Sequence, residues 1–473
     1  MKLLDPNMIP DPPKEKKKIG RKILAVLLVV WFIKYLITSN LFEREPPQIE
    51  IDEVKYWNLS KPIKLKISDN YAIKSFRVAI DNGDGNLITY RDGHFQEPKV
   101  KSVDINISLP RNSKFRNNYT VIRVEATDFS NWNFFSGNKV TYEETVIVDT
   151  VKPTISVVNS SYGIRRGGAA TVIFKVDDGA NSNLADVYIE TTTGKKFIPQ
   201  PFLEGGGKYY ISLVAWDLRD VTFNGKIVAK DRAGNVATTG LNLYLKEKRY
   251  KLSNISLKES FLNGKIATLA STHEKSEYTD DVVEYFKIVN EDIRAENEKL
   301  ITEKTTQIDR NEVITDFNLN PFKPLKGAIS VASFGDHRKY FYHDEFVSEA
   351  NHMGLDLASV RRAPIIASNK GKVVFADDNG VYGISPIIDH GLGLFTLYGH
   401  CSSIRVHEGD LIDVGHIIGN TGKTGLALGD HLHFGVYVQG VPVRPEEWMD
   451  KVWIKNNVTD VITNAKKIIE KTE

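Results

Sequence analysis

Alternation of apolar and polar residues dominates positions 46–248 and constrains the fold of this chain more than any other feature. The stretch "IKLKIS" (63–68) places isoleucine or leucine at every second position, and "TVIFKVDD" (171–178) repeats the pattern. A period of two with one polar face is typical of antiparallel strands. We therefore predict a mainly β fold for this part of the chain.

A weak internal repeat divides this β-rich part in two. The segments "VEATDFSN" (124–131) and "VAKDRAGN" (228–235) resemble each other and lie about one domain length apart. The sequence around Pro153, "DTVKPTI", is typical of a joint between domains. These observations predict two β-sandwich domains at residues 46–149 and 150–248. The pattern "A-x-D-x-x-G-N" near the end of the second resembles bacterial immunoglobulin-like domains, so we expect this fold for both. We expect such domains to act as an arm or as a docking surface for an envelope protein, not as enzymes.

The N-terminus combines a basic and an apolar segment. Six lysines and arginines between positions 14 and 22 precede "ILAVLLVVWFIKYLITSNLF" (23–42). About 20 apolar residues span a bilayer, and the positive-inside rule keeps the basic end in the cytoplasm. A cleaved signal peptide would begin in the same way, but no small-residue cleavage site follows the apolar run. We predict a cytoplasmic tail at 1–22, a single-pass inner-membrane anchor at 23–42, and a periplasmic or otherwise extracytoplasmic location for the remainder.

The composition excludes two classes of protein. The 62 lysines and arginines are balanced by 60 acidic residues, so we expect no nucleic-acid partner. The single cysteine, Cys401, excludes an intrachain disulfide and any cysteine-rich zinc site.

Helical periodicity replaces the alternation beyond the second β-rich domain. Ser256 and Glu259 have the spacing of a capping box, and Phe286 lies on the apolar face of a second helix. We predict a helical connector at 249–320 and a C-terminal helical tail at 451–473. The connector is either a structural stalk or, as a hypothesis, a shield over the site in the following domain until a partner moves it.

Nine of the 11 histidines lie within residues 337–433, in a region rich in glycine and β-branched residues that predicts a compact β domain. In a strand, His431 and His433 would face the same way, about 7 Å apart. His352 and Asp356 would be about 13 Å apart in an extended strand, so they can share an ion only if the chain bends. Gly354 is the residue that would permit this bend.

Two imidazoles and one carboxylate form a suitable ligand set for Zn²⁺ and leave a fourth position for water. Such an open site is catalytic, because the ion lowers the pKa of the water and polarises a carbonyl. A further imidazole must then accept the water's proton or stabilise the oxyanion, and His400 in "LYGHCSS" is available.

Other chemistries fit the residues less well. The chain has no H-E-x-x-H motif, which excludes the helical zincin arrangement. A lipoyl or biotinyl carrier, with Lys423 in its turn, leaves the histidines unexplained, and a histidine phosphocarrier leaves Asp356 unexplained. Cys401 follows His400 but should face the opposite side of a strand, so we predict a packed thiol and not a nucleophile.

Five motifs, in this order, resemble the LytM/lysostaphin family of zinc endopeptidases. They are "SFGDHR" (333–338), "NHMGLDLA" (351–358), "LYGHCSS" (397–403), "VHEGDLIDVGHIIGNTGKTG" (406–425) and "HLHFGVYVQGVPVRPEEWM" (431–449). The resemblance covers about residues 321–450 and implies a β-barrel-like domain that cuts peptide crosslinks of bacterial peptidoglycan. The stretch "YFYHDEF" (340–346) departs from the family as a longer approach to the first histidine motif.

The resemblance also implies roles for five residues. His352, Asp356 and His433 match the Zn²⁺ ligands, and His400 and His431 match the catalytic histidines. Because all five positions are filled, we predict a membrane-anchored, zinc-dependent endopeptidase that acts on the peptide stems of peptidoglycan. The alternative is a catalytically silent LytM-type scaffold that activates another cell-wall hydrolase. We expect the bond to be a direct D-Ala to diaminopimelate crosslink, with a glycine bridge as the alternative.

Overall fold

The computed structural model describes residues 15–81, 84–113, 115, 118–179, 183–203 and 208–472. The fold is mainly β, as predicted. The chain divides into two compact units, Met1–Val151 with Arg232–Asn235, and Lys152–Asp231 with Val236–Glu473. Residues 1–14 of the predicted cytoplasmic tail lie outside the described residues.

The N-terminal helix α1 (Glu15–Thr38) is followed by a 3-10 turn at Asn40–Phe42. This helix includes basic residues that precede the apolar run, so it begins within the predicted cytoplasmic tail. It ends before residue 42, the predicted end of the anchor. Among the described residues, no helix is both long and apolar enough to cross a membrane. The predicted anchor at 23–42 stays a prediction.

Two sheets enclose the core of the first unit. Its strands are β1 (Gln48–Ile51), β2 (Tyr56–Trp57), β3 (Ile63–Ser68), β4 (Ile73–Asp81), β5 (Leu87–His94), β6 (Ser102–Ile107), β7 (Tyr119–Asp128) and β8 (Lys139–Val148), with a short helical turn, α2 (Trp132–Phe135), between the last two. The strand orders are β1-β3-β6 and β2-β8-β7-β4-β5. In β3 the alternation works as predicted, since Ile63, Leu65 and Ile67 are buried between the sheets.

The second unit begins with another pair of sheets. Its first strands are β9 (Thr154–Ser160), β10 (Gly163–Arg165), β11 (Ala169–Asp177), β12 (Leu184–Thr191), β13 (Lys196–Phe197), β14 (Gln200–Pro201), β15 (Tyr209–Ala215), β16 (Gly225–Asp231), β17 (Val236–Gly240) and β18 (Tyr244–Lys246). The sheets run β14-β15-β11-β9 and β13-β12-β16-β17, and β10 pairs with β18. We refer to this part as the second sandwich.

The connector starts with a strand that we did not predict, β19 (Leu252–Ser256). Ser256 belongs to this strand, so the predicted capping box is wrong, and Lys258 precedes the first helical turn. The helical segments are α3 (Glu259–Phe261), π turns at Leu262–Ile266, α4 (Ala267–Ala270), a 3-10 turn at Glu274–Tyr278, α5 (Val282–Lys287), π turns at Ile288–Ile293, and α6 (Arg294–Thr305).

The connector is not a free stalk, because its apolar face shares a core with the following domain. Leu262 and Phe286 of the connector are buried in one cluster with Phe395 and Tyr437. The proposed shielding of the site stays a prediction.

The histidine-rich domain is built on one large open sheet. The strands of the domain are β20 (Ile329–Ala332), β21 (His337–Tyr342), β22 (Glu345–Asn351), β23 (Leu355–Ala358), β24 (Pro364–Ile366), β25 (Gly371–Phe375), β26 (Ile387–Asp389), β27 (Leu394–Gly399), β28 (Ser403–Ile404), β29 (Leu411–Ile412), β30 (Ile417–Asn420), β31 (Leu432–Val438) and β32 (Val441–Val443). Of these, β24, β30 and β28 form a separate small sheet, and β21 and β22 belong to the sheet β19-β21-β22. The path β20-β23-β31-β27-β26-β25-β29 does not close, so the described strands form an open sheet where we predicted a barrel-like one.

The C-terminal residues are helical, as α7 (Pro445–Met449), α8 (Lys451–Ile454), π turns at Lys455–Thr459, and α9 (Asp460–Glu470). These helices pack on the second sandwich, where Asn159 Nδ2 donates to the carbonyl of Val461 (2.8 Å). A single buried cluster includes Ile173 of the second sandwich, Leu432 of β31 and Ile462 of α9. The second sandwich and the histidine-rich domain therefore share one hydrophobic core.

Candidate metal centre

Three predicted ligands meet at adjacent strand ends. Asp356 in β23 lies directly opposite His433 in β31. His352 follows β22, and the chain bends at Gly354 before β23 begins. Asp356 Oδ1 is 2.9 Å from His352 Nε2 and 3.0 Å from His433 Nδ1, and these two nitrogens are 3.0 Å apart. The two sequence stretches that we predicted to share an ion are thus in contact.

Backbone carbonyls set the ring orientation of three histidines. His352 Nδ1–H donates to the carbonyl of Ser333 (3.0 Å), His400 Nδ1–H to that of Thr424 (2.9 Å), and His431 Nδ1–H to that of Gly429 (2.8 Å). Because each Nδ1 carries the proton, each Nε2 keeps a lone pair that can bind a metal or accept a proton.

The donor set fits Zn²⁺. Zinc bonds of ~2.0–2.2 Å to nitrogen and oxygen in a tetrahedron separate the donor atoms by about 3.3 Å. The observed separations of 2.9 to 3.0 Å need to widen by only a few tenths of an ångström to reach that value. Two imidazole nitrogens and one carboxylate oxygen also match the ligand chemistry of catalytic zinc sites.

Gly354 is required for a reason that the sequence did not reveal. The chain bends there, as predicted, but the φ angle is outside the left-handed region. A Cβ at this position would lie 2.5 Å from both Cε1 and Nε2 of His433. Glycine therefore leaves room for the His433 ring.

The two predicted catalytic histidines border the ligand cluster. His431 Nε2 lies 3.7 Å from Asp356 Oδ1. The His400 ring centroid is 4.8 Å from that of His431 and 5.8 Å from that of His433. Leu432, between His431 and His433, is fully buried, so the alternation that we predicted for this strand is confirmed. All five predicted site residues are thus brought together.

Burial and mutual contact set the protonation states. Burial lowers the pKa of His433 to about 4. It also lowers the pKa of His400 well below its usual value, and the neighbouring His433 and His431 add to that effect. Burial of Asp356 opposes its ionisation, but the His352 and His433 imidazoles hold the pKa of this carboxyl well below its usual value. Neutral imidazoles and an ionised carboxylate are the forms that bind a metal.

Comparison with known proteins agrees with this geometry. Residues 350–445 match peptidase family M23. This part of the chain is an M23 peptidase domain. The predicted LytM/lysostaphin-type resemblance is therefore confirmed for the domain.

Two curated relatives are named for cell-wall enzymes. The chain is 38% identical over 94 residues to the DD-carboxypeptidase/endopeptidase Mpg of Neisseria meningitidis serogroup B. It is 37% identical over 94 residues to the peptidoglycan DD-endopeptidase ShyA of Vibrio cholerae. Each match covers 20% of this chain and 22% of the relative, so the likeness is confined to about one domain.

A solved structure of an M23 peptidase from Pseudomonas aeruginosa aligns with 60% of this chain and 93% of its own. The sequence identity is 21% and the TM-score is 0.37.

Cys401 in the M23 domain is a packed thiol, as predicted. Its side chain is fully buried and Sγ donates to the carbonyl of Tyr398 (3.1 Å). Burial raises the pKa of the thiol to about 12, so it is protonated at neutral pH. A thiolate nucleophile is thereby excluded at this position.

Sequence reasoning missed two supports of the M23 site. The first is Tyr382, whose carbonyl accepts a hydrogen bond from the His400 backbone N–H (2.8 Å) and whose ring packs 5.4 Å from that of His433. Asn297 of α6 holds this turn, because its Oδ1 accepts from the backbone N–H of Val381 (2.8 Å). No local motif signals this contact, since Asn297 lies outside the matched domain.

The second missed support is Arg338, whose Nη2 lies 3.7 Å from Asp356 Oδ2. This arginine is the last residue of the "SFGDHR" motif, but the motif alone does not indicate its role.

Proposed function

We propose that this protein is a zinc-dependent endopeptidase that hydrolyses peptide crosslinks of bacterial peptidoglycan. One observation carries the proposal: the donor atoms of His352, Asp356 and His433 converge within 3.0 Å beside two further histidines. A structural site would have a closed ligand set, whereas three protein ligands leave a position for water and substrate.

The roles of the residues follow from their contacts. Zn²⁺ held by His352, Asp356 and His433 would polarise a substrate carbonyl and make a water more acidic. His431 can accept a proton at Nε2, because its Nδ1–H is bound to the carbonyl of Gly429. His400 is neutral at pH 7 and can accept a proton at Nε2 and return it in a later step, because the carbonyl of Thr424 holds its Nδ1–H.

Peptidoglycan is the proposed substrate because one relative described above is named a peptidoglycan DD-endopeptidase and the other a DD-carboxypeptidase/endopeptidase. These names favour a D,D crosslink such as D-Ala to diaminopimelate over a glycine bridge. Since this polymer lies outside the cytoplasmic membrane, the proposal includes an extracytoplasmic location. Protease accessibility of the chain in intact spheroplasts tests that part.

The direct test is cleavage of purified crosslinked muropeptide dimers by the full-length chain, followed by mass analysis. We expect conversion of dimers to monomers with Zn²⁺, no conversion with a chelator, and recovery when Zn²⁺ is restored. The mass of the products identifies the bond. Tight Zn²⁺ binding without cleavage of any crosslink would favour the alternative, a silent scaffold that activates another hydrolase.

A further inference from the structure

We propose that Arg338 is a positioning residue that makes Asp356 bind the metal through one oxygen only. This inference rests on the proposed metal centre and adds a residue to it. It concerns the way in which the carboxylate is held and not the identity of the ligands.

The two oxygens of Asp356 have different partners. Oδ1 lies 2.9 Å from His352 Nε2 and 3.0 Å from His433 Nδ1, which places it in the ligand cluster. Oδ2 lies 3.7 Å from Arg338 Nη2. Carboxylates bind metals through one or both oxygens. A cation beside Oδ2 keeps that oxygen away from the metal and leaves Oδ1 as the donor.

Arg338 is itself held in place. Its Nε donates to Asp336 Oδ2 (3.4 Å), and Asp336 Oδ1 accepts from Ser253 Oγ (2.8 Å). Ser253 of β19 also lies opposite Arg338 in the parallel pair β19–β21. Arg338 is largely buried, since 23% of its side chain is exposed. The guanidinium is a planar group with fixed donor directions, so one bond to Asp336 sets the orientation of the remaining donors.

The charge of Arg338 is balanced locally, which explains how this cation can lie beside a metal site. Arg338 alone would repel Zn²⁺, but the buried carboxylate of Asp336 offsets its charge. The Arg338–Asp336 pair therefore contributes orientation to Asp356 with little net charge. Partners of metal ligands that set the ligand orientation typically change metal affinity by 10- to 100-fold when they are removed.

The test compares Zn²⁺ affinity, by competition with a chelating dye, in the full-length wild type and four variants. Arg338→Gln removes the cation, and Arg338→Lys keeps the charge without the planar fork. The double variant Arg338→Gln/Asp336→Asn removes both charges and so preserves the local balance. Arg361→Gln is the control, because Arg361 is an exposed arginine of the same domain. Thermal unfolding of the zinc-free proteins and the absorption spectrum of the Co²⁺-loaded proteins accompany each measurement.

We expect affinity to fall by about 10- to 100-fold in Arg338→Gln and in the double variant, and Arg338→Lys to recover part of it. The Co²⁺ spectrum should change towards higher coordination as Asp356 binds through both oxygens, while Arg361→Gln matches the wild type. The double variant keeps the test valid if Arg338→Gln unfolds.

Wild-type affinity and an unchanged Co²⁺ spectrum in the double variant would overturn the proposal, and so would full recovery by lysine, because charge alone would then suffice. If the wild type itself bound no Zn²⁺, the proposed metal centre would be wrong. This outcome differs from one in which the wild type binds Zn²⁺ and the variants bind it equally well, which would contradict only the role of Arg338.

Discussion

Asp356 and His433 face each other across the antiparallel pair β23–β31, with Oδ1 and Nδ1 3.0 Å apart although 77 residues separate them in the chain. The ladder of backbone hydrogen bonds fixes both Cα positions. Paired strands thus hold these two ligands in place. A substitution at either residue should weaken Zn²⁺ binding without loss of the fold.

We predict that His433→Ala abolishes Zn²⁺ binding and that His400→Asn leaves it intact but lowers turnover by about 100-fold or more, because proton transfer is lost. Asparagine is the suitable replacement, since His400 has a φ of 63° and asparagine tolerates that region better than alanine. Zinc content by metal analysis and muropeptide cleavage measure the two effects. Turnover retained in His400→Asn would refute the role assigned to His400.

Gly354→Ala should displace the His433 ring, because the added Cβ would lie 2.5 Å from two of its atoms. We expect a loss of about 1–3 kcal/mol in the free energy of unfolding and weaker Zn²⁺ binding. Gly240→Ala is the control, since nothing lies within 4 Å of a Cβ at that position. Equal Zn²⁺ affinity in Gly354→Ala and the wild type would show that the ring can move at no cost.

The ligand cluster could be predicted from the sequence because its residues lie in two short motifs. His352, Gly354 and Asp356 lie within one bend, and the alternation of His431, Leu432 and His433 determines which of them face the site. Period-two alternation likewise predicted β3 of the first unit, whereas β11 of the second sandwich is buried on both faces from Ala169 to Phe174, so the polar face predicted there is wrong.

The long-range supports could not be predicted in this way. Asn297 reaches the turn at Tyr382 from α6, and Ser253 reaches Asp336 from β19, so both contacts depend on tertiary packing that no local pattern encodes. Ser256 had a capping-box spacing but lies in a strand, because pairing of β19 with β21 overrides the local signal.

The burial of Glu447 against the second sandwich should make stability depend on pH. Glu447 Oε2 accepts from the backbone N–H of Ala169 (3.2 Å), and burial raises the pKa of this carboxyl to about 7. A raised pKa means that the folded state binds the Glu447 proton more tightly than the unfolded state does. The stability gained from this proton is complete below about pH 4.5 and is lost as the pH rises through 7.

We therefore expect Glu447→Gln to flatten the pH profile and to be more stable than the wild type at pH 8, by at most about 3 kcal/mol. Urea unfolding between pH 5 and pH 8 measures the difference, and the exposed Glu470 provides the control Glu470→Gln. Identical slopes in Glu447→Gln and the wild type would contradict the prediction.

Asn297→Ala should weaken the link between the connector and the M23 domain. The variant leaves the backbone N–H of Val381 without its acceptor, at a cost of about 1–3 kcal/mol. Turnover should fall because the neighbouring Tyr382 carbonyl holds the His400 backbone, whereas Zn²⁺ content should remain. Lys299→Ala on the exposed part of the same helix is the matched control. Unchanged turnover and stability in Asn297→Ala would show that the turn at Tyr382 holds its shape without the helix.

A fragment of residues 319–473 should not fold as an independent domain. Leu432 and Ile462 share one core with Ile173 of the second sandwich, and Phe395 and Tyr437 pack against Phe286 of the connector. Removal of residues 1–318 would expose both apolar surfaces, and burial of each large apolar side chain contributes about 1.5–3 kcal/mol. We expect the fragment to aggregate or to lack a cooperative thermal transition, whereas a chain of residues 152–473 keeps the complete second unit and unfolds cooperatively. Cooperative unfolding of 319–473 with wild-type Zn²⁺ affinity would show that the shared cores are dispensable for the metal centre.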